Sequence, residues 1–169
     1  AKELIKANKI GKIRRIFAEY LQGWLTTRIE DDGQPHASWR TDPSQAGIGG
    51  SIADIGSHAE NLICYVTGLE IDTIQADCHS FLKRSVDDDS QVMMRMKGGA
   101  RATLNASQIC AGELNNLRLR VYGETGGLLW EQENPNHLTL KKLGEPDQIL
   151  HRGAEYLSPS LTQVTRIPA

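Results

Sequence analysis

The chain has 169 residues and a net charge of −2, from 19 basic and 21 acidic side chains. That length fits one domain, which would bury about 70% of its unfolded surface and needs no metal or disulfide staples. The balanced charge and an apolar share of 39% exclude a disordered chain, a small disulfide scaffold and a basic nucleic-acid binder.

Residues 2–10 read as the end of a helix, with Gly11 as its C-terminal stop. Residues 13–22 alternate like a strand, with Arg15, Phe17 and Glu19 on one face and Ile16, Ala18 and Tyr20 on the other. Residues 26–47 hold Gly33, Pro35, Pro43 and Gly47 and read as a loop. Structureless loops of about 20 residues are uncommon unless functional. This one carries Trp39, Arg40 and Asp42, which suit recognition better than linkage.

Gly49-Gly50-Ser51 opens the clearest helix. Ile52, Ile55, Leu62, Ile63 and Val66 recur at helical spacing, and Thr67-Gly68 ends it. Asp54, His58, Asn61 and Tyr65 share its polar side. After Gly68 the period changes to two. Strands are expected at 71–82, 90–96, 100–107, 117–122, 127–132 and 137–142, with hairpins at Lys97-Gly98-Gly99 and at 123–127. Strands joined by short turns form an antiparallel sheet, one face of which can meet helices. The expected class is therefore α+β, and the tail from Leu157 reads as irregular.

Cys64, Cys78 and Cys110 are odd in number and widely spaced, with no Cys-x-x-Cys. They read as buried or inert thiols of a reducing, cytoplasmic setting. No apolar run is long enough to span a membrane, and no signal peptide is visible. The chain opens inside a helical pattern without Met and stops without a clear terminal element, as a piece of a longer chain would.

The strongest chemical candidate is Asp54-Ile55-Gly56-Ser57-His58. A carboxylate four residues before an imidazole can hydrogen-bond to it, fix its tautomer and raise its basicity. The competing reading is structural. Ser51-x-x-Asp54 matches a capping box in which Asp54 reaches back to the Ser51 amide, leaving His58 a surface residue. His36, His58, His79, His137 and His151 are scattered without metal-ligand spacing. Gly47-Ile48-Gly49-Gly50 opens a helix but follows a loop rather than a strand, so it is not a dinucleotide fingerprint. Asp87-Asp88-Asp89 reads as a solvated acidic loop, and Arg95, Arg101, Arg118 and Arg120 as the exposed or partner-facing side of the sheet.

The stretch from Gly49 to His58 resembles the Asp-x-x-x-His helix of the glucose–fructose oxidoreductase / inositol dehydrogenase / rhizopine catabolism (Gfo/Idh/MocA) family. Five further stretches match that family in order: Gln22-Gly23-Trp24, Trp39-Arg40-Thr41-Asp42-Pro43, Val86-Asp87-Asp88, Gly98-Gly99-Ala100 and Tyr122 to Gly127. Lys9 to Ile13 is similar to the junction that opens the family's second domain. The resemblance implies a C-terminal α+β domain with a large, mostly antiparallel sheet and helices on one face, spanning residues 1–169. It implies an oxidoreductase acting on sugars, cyclitols or related polyols with NAD or NADP, the cofactor lying mainly in an N-terminal Rossmann domain absent here. It implies a homo-dimer or tetramer built through the sheet, with no nucleic-acid or membrane partner.

By the same resemblance Asp54 and His58 are the catalytic pair, with His58 taking a hydroxyl proton. Gln22, Arg40, Asp42 and Asn61 fall where the family lines its sugar pocket. The chain departs from the pattern in four places, one of them the missing Gly-rich dinucleotide loop. The family's Glu-Lys-Pro motif is missing, Asn61 stands where the family often has Asp, and the chain stops at Arg166-Ile167-Pro168-Ala169, before a Gly-His segment often found there. An isolated domain of this kind is expected to turn over nothing. The alternative is a ligand-binding or assembly module with the same fold and no chemistry.

Overall fold

A computed structural model describes residues 1–154 and 156. The chain begins with a short helix, α1 (Lys2–Lys6). It ends earlier than the expected residue 10, because Asn8 adopts φ 54 and turns the backbone out of the helix before Gly11. Strand β1 (Ile13–Leu21) follows and alternates as its sequence predicts, with Ile16, Ala18 and Tyr20 buried.

The expected loop at 26–47 contains two short helices. In α2 (Pro35–Arg40), Pro35 is pre-set for a first helical turn, and the Gln34 side chain accepts the Ala37 amide at 2.6 Å. In α3 (Pro43–Ala46), Asp42 is the N-cap residue and accepts the Ser44 amide at 2.9 Å.

The predicted long helix has two parts. A π-helical turn (Ile52–Gly56) runs directly into α4 (Ser57–Thr67), which Gly68 closes in the left-handed conformation at φ 70. Ile55, Ala59, Ile63 and Val66 face inward from this element and are buried. Burial of each large aliphatic side chain contributes about 1.5–3 kcal/mol.

Seven strands follow: β2 (Ile71–His79), β3 (Asp89–Met96), β4 (Arg101–Ser107), β5 (Asn116–Gly123), β6 (Gly126–Glu131), β7 (His137–Lys142) and β8 (Gln148–His151). The last was not anticipated. Eight strands form one sheet in the order β2-β3-β4-β1-β5-β6-β7-β8. All neighbours are antiparallel except β1 and β4, which run parallel with Ala18 opposite Leu104. The α+β expectation with a mostly antiparallel sheet therefore holds, with one parallel seam where β1 is inserted between two later strands.

The π-turn and α4 cover one face of the sheet, packing on β1, β4 and β5. The core lies in that layer, with Ile16, Met96, Leu104, Leu119 and Val121 all nearly free of solvent contact. The other face carries Arg15, Phe17, Glu19, Met93, Arg95, Arg101, Arg118 and Arg120 and has no covering helix among the described residues. No helix among them is long and apolar enough to cross a membrane.

Two further sequence expectations concern the acidic run and the thiols. The acidic run is not a solvated loop: Asp88 is fully buried and Asp87 is partly buried against the π-turn. Of the thiols expected to be buried or inert, Cys78 is exposed on edge strand β2, and Cys64 and Cys110 are half-buried.

Candidate functional site

The N-terminus of the π-turn exposes amides that need partners. The sequence offered Asp54 for that task, but the structure uses Asp87. Its Oδ1 accepts the Gly50 amide at 2.7 Å, and its Oδ2 accepts the Ile52 amide at 2.7 Å and the Ser51 hydroxyl at 2.6 Å. The Ser51 amide goes to the Asp87 backbone carbonyl. Gly50 is required for this approach, because a Cβ there would run into that carbonyl. Burial alone would raise the Asp87 pKa, but these donors and the Ser90 hydroxyl outweigh it and hold the carboxyl below its ordinary value.

Asp54 is thereby free to serve the cleft. Its Oδ2 accepts from Gln108 Nε2 at 2.8 Å and faces Arg40 Nε at 3.3 Å. His58, one turn further on, is not among the partners of this carboxylate. Its ring stands 6.3 Å from that of Tyr20 and is exposed. The expected Asp54–His58 hydrogen bond is therefore absent from this arrangement, although both side chains face the same cleft.

That cleft has a volume of about 480 Å³. The end of β1 contributes Tyr20, with Gln22 and Trp24 just beyond it. Helix α2 contributes His36 and Arg40, and the segment between β4 and β5 contributes Leu114 and Asn115. The Arg40 guanidinium stacks 4.1 Å from the Trp39 ring centre and 5.9 Å from that of Trp24. Two imidazoles, a carboxylate, a guanidinium and three side-chain amides (Gln22, Gln34 and Asn115) thus converge on one open hollow. Such a set can bind vicinal hydroxyls and move a proton.

Of the residues singled out from the sequence, Gln22, Arg40, Asp54 and His58 line this cleft together. Asp42 and Asn61 do not. Asp42 is engaged locally by Gln45 Nε2 and by the Ser44 hydroxyl and amide, which together hold its pKa below the usual range. Asn61 is exposed one turn beyond His58. Sequence reasoning did not place Trp24, His36, Gln108 or Asn115 at the cleft or behind its wall. None carries a local spacing signal: long-range pairing of β1 with β4 and β5 brings Trp24, Gln108 and Asn115 together, and α2 carries His36 to them.

A larger hollow of about 600 Å³ lies between α1 and β7–β8, away from Asp54 and His58, with Leu4, Ala7, Leu138, Leu140 and Leu150 on its walls. Its rim also carries Glu3, Lys9, His137, Lys142 and His151, but none of the residues singled out from the sequence as catalytic or substrate-binding lines it. The π-turn also offers no cradle for a pyrophosphate, since the Gly50 and Ile52 amides are already taken by Asp87. The residues of this chain therefore do not fit a dinucleotide phosphate site at that helix entry.

The structure defines an α+β domain with one large sheet, one covered face and a polar cleft at the end of β1. The chain belongs to the GFO/IDH/MocA C-terminal domain family, which it matches over residues 1–129. It is 30% identical over 157 residues to the uncharacterized oxidoreductase YfiI of Bacillus subtilis (strain 168), covering 91% of this chain and 40% of that one. The crystal structure of an inositol dehydrogenase homolog complexed with NAD+ from Azotobacter vinelandii superposes with TM-score 0.92 at 30% identity. That match covers 99% of this chain and 43% of that one. A structure of an inositol dehydrogenase homolog with NADH and myo-inositol from the same organism gives TM-score 0.86 at 26% identity, covering 99% and 42%. The chain thus spans about 40% of the length of the curated relatives it matches.

Proposed function

We propose that these residues are the substrate-binding and assembly domain of an NAD- or NADP-dependent oxidoreductase acting on a sugar, cyclitol or related polyol. The observation that carries the reading is the convergence of Asp54 and His58 with Gln22 and Arg40 on one cleft. The family and the inositol dehydrogenase likeness support the substrate class.

In this reading His58 accepts the proton of the reacting hydroxyl, which an imidazole can do at neutral pH. Asp54 fixes a neighbouring hydroxyl or the protonated imidazole. Arg40 and Gln22 hold further hydroxyls and set the ring's orientation, which contributes to rate by pre-paying orientational entropy. NAD or NADP is the hydride acceptor and is held mainly by a further domain outside these residues. Asp42 and Asn61 are assigned to the approach to the cleft rather than to its walls. The setting is a reducing cytoplasm, and the protein assembles as a homo-dimer or tetramer through its uncovered sheet face.

The test is a dehydrogenase screen over polyols with the longer parent chain, followed by His58→Asn. Loss of kcat by roughly 10²–10⁴-fold without loss of fold is expected for removal of a general base. An unchanged rate removes His58 from the chemistry. The 169 residues alone are expected to show no NAD isotherm by calorimetry, and a saturable one overturns the assignment of the cofactor to another domain.

A further inference from the structure

Gln108 directly follows β4 and is only 2% exposed, behind the wall of the cleft rather than on it. Its backbone is held on both sides: its amide donates to the Asp88 carbonyl at 3.0 Å, and its carbonyl accepts the Leu25 amide at 3.0 Å. Its side-chain Nε2 donates to Asp54 Oδ2 at 2.8 Å and lies 3.4 Å from Gln22 Oε1.

The orientation of each amide is forced by its neighbours. An ionised carboxylate only accepts, so Gln108 must present its NH2 end to Asp54. The Trp24 indole N–H only donates and reaches Gln22 Oε1 at 3.0 Å. Gln22 Nε2 is therefore turned to Asn115, donating to its Oδ1 at 2.8 Å. That same oxygen accepts the Tyr20 hydroxyl at 2.6 Å. The network has one polarity, with donor-only Trp24 fixing one amide and acceptor-only Asp54 fixing the other.

We infer that Gln108 is a positioning residue that holds the Asp54 carboxylate aimed at the cleft, an inference whose catalytic meaning rests on the function proposed above. Arg40, the other partner of Asp54, is partly exposed and stacked on Trp39, so it offers a charge but not a fixed position. Gln108 is buried, neutral and clamped through its own backbone. A fixed neutral donor holds the carboxylate in one orientation without adding a charge. Both partners meet Oδ2, which leaves Oδ1 to face a substrate hydroxyl or the His58 imidazole.

The test compares the wild-type chain with Gln108→Leu, which keeps bulk and removes the donor, by the carboxyl 13C shift of Asp54 and its side-chain Overhauser contacts at about pH 7. Loss of the donor is expected to move the carboxyl signal and to weaken the contacts of Asp54 with the cleft walls. In the parent enzyme the same variant lowers kcat about 10-fold with KM within about 3-fold. Gln108→Glu is the second variant. Its protonated form can donate the same bond, so its rate relative to wild type recovers as pH falls, whereas Gln108→Leu shows no such rescue. An unchanged Asp54 signal in Gln108→Leu overturns the inference. A displaced Asp54 with unchanged kcat also overturns it. A displaced Asp54 in a parent that oxidises no polyol sustains the positioning and defeats the functional reading instead.

Discussion

The Asp87 carboxylate accepts the Ser51 hydroxyl at 2.6 Å, joining two segments 36 residues apart in sequence. The helix that carries Asp54 and His58 is therefore started by a residue from the β2–β3 connection and not by its own capping box. Replacing Asp87 with Ala should cost about 1–2 kcal/mol, the usual scale for a lost N-cap. The effect has a pH signature. The folded pKa of Asp87 lies below its ordinary value of 3.8, so its ionisation contributes stability above that pH and loses it as pH falls through the folded value. Denaturation midpoints of wild type and Asp87→Asn should therefore converge below about pH 4 and stay apart at pH 7. A constant gap across that range removes the charge from the explanation.

Much of this architecture is legible along the chain. The alternation of Ile16, Ala18 and Tyr20 and the helical spacing of Ile55, Ile63 and Val66 come from burial on one face, and burial leaves a period in sequence. The insertion of β1 between β4 and β5 leaves none, because strand pairing across such a separation has no local marker. The π-turn is equally silent. Ser51 and Asp54 have the spacing of a capping box, yet Asp87 wins because its carboxylate reaches two amides and a hydroxyl at once. Gln34-Pro35 and Asp42-Pro43 are helix starts in plain sight, hidden by the habit of reading Pro as a loop residue.

A second prediction concerns the support under the cleft. Arg84 forms a bidentate pair with Glu30, at 2.8 and 3.0 Å, and donates to the carbonyls of Leu25 and Thr27. Its side chain lies 3.5 Å from fully buried Asp88. Burial alone would raise the Glu30 pKa, but the Arg84 hydrogen bonds outweigh it and hold the carboxyl below its usual value. Arg84→Met should cost about 3–5 kcal/mol in urea unfolding, since it takes the donors from the Glu30 carboxylate and two carbonyls and the counter-charge from buried Asp88. A loss under about 1 kcal/mol would mean that water reaches this cluster.

Thiol chemistry provides a third. Burial, then the nearby Glu60 carboxylate, push the Cys64 thiol up to about 11. At pH 8 its thiolate fraction is on the order of 10⁻³. Cys78 is exposed on the edge strand β2. Limiting maleimide at pH 8, read by peptide mass mapping, should modify Cys78 at least about 10-fold faster than Cys64. Equal rates would show that the α4 layer opens on the labelling timescale.

The last prediction concerns the uncovered face of the sheet. Phe17 and Tyr122 meet edge-on there at 6.2 Å, and the guanidinium groups of Arg15 and Arg120 lie 4.8 and 5.1 Å from the Phe17 ring centre. Met93 is 55% exposed on the same face, and the Nε of Arg120 is buried without a hydrogen-bond partner among the described residues. A broad sheet face with aromatic, methionine and arginine side chains has the composition of a protein–protein contact. A second copy packed there would cover Met93 and give Arg120 an acceptor. Light scattering should therefore return at least twice the chain mass. Phe17→Glu places a carboxylate between Arg15 and Arg120, where a monomer tolerates it and a closed interface does not. The variant should keep the wild-type circular dichroism spectrum and run as a monomer. An assembly that survives Phe17→Glu, or a wild type that stays monomeric at millimolar concentration, would place the subunit contact elsewhere or remove it.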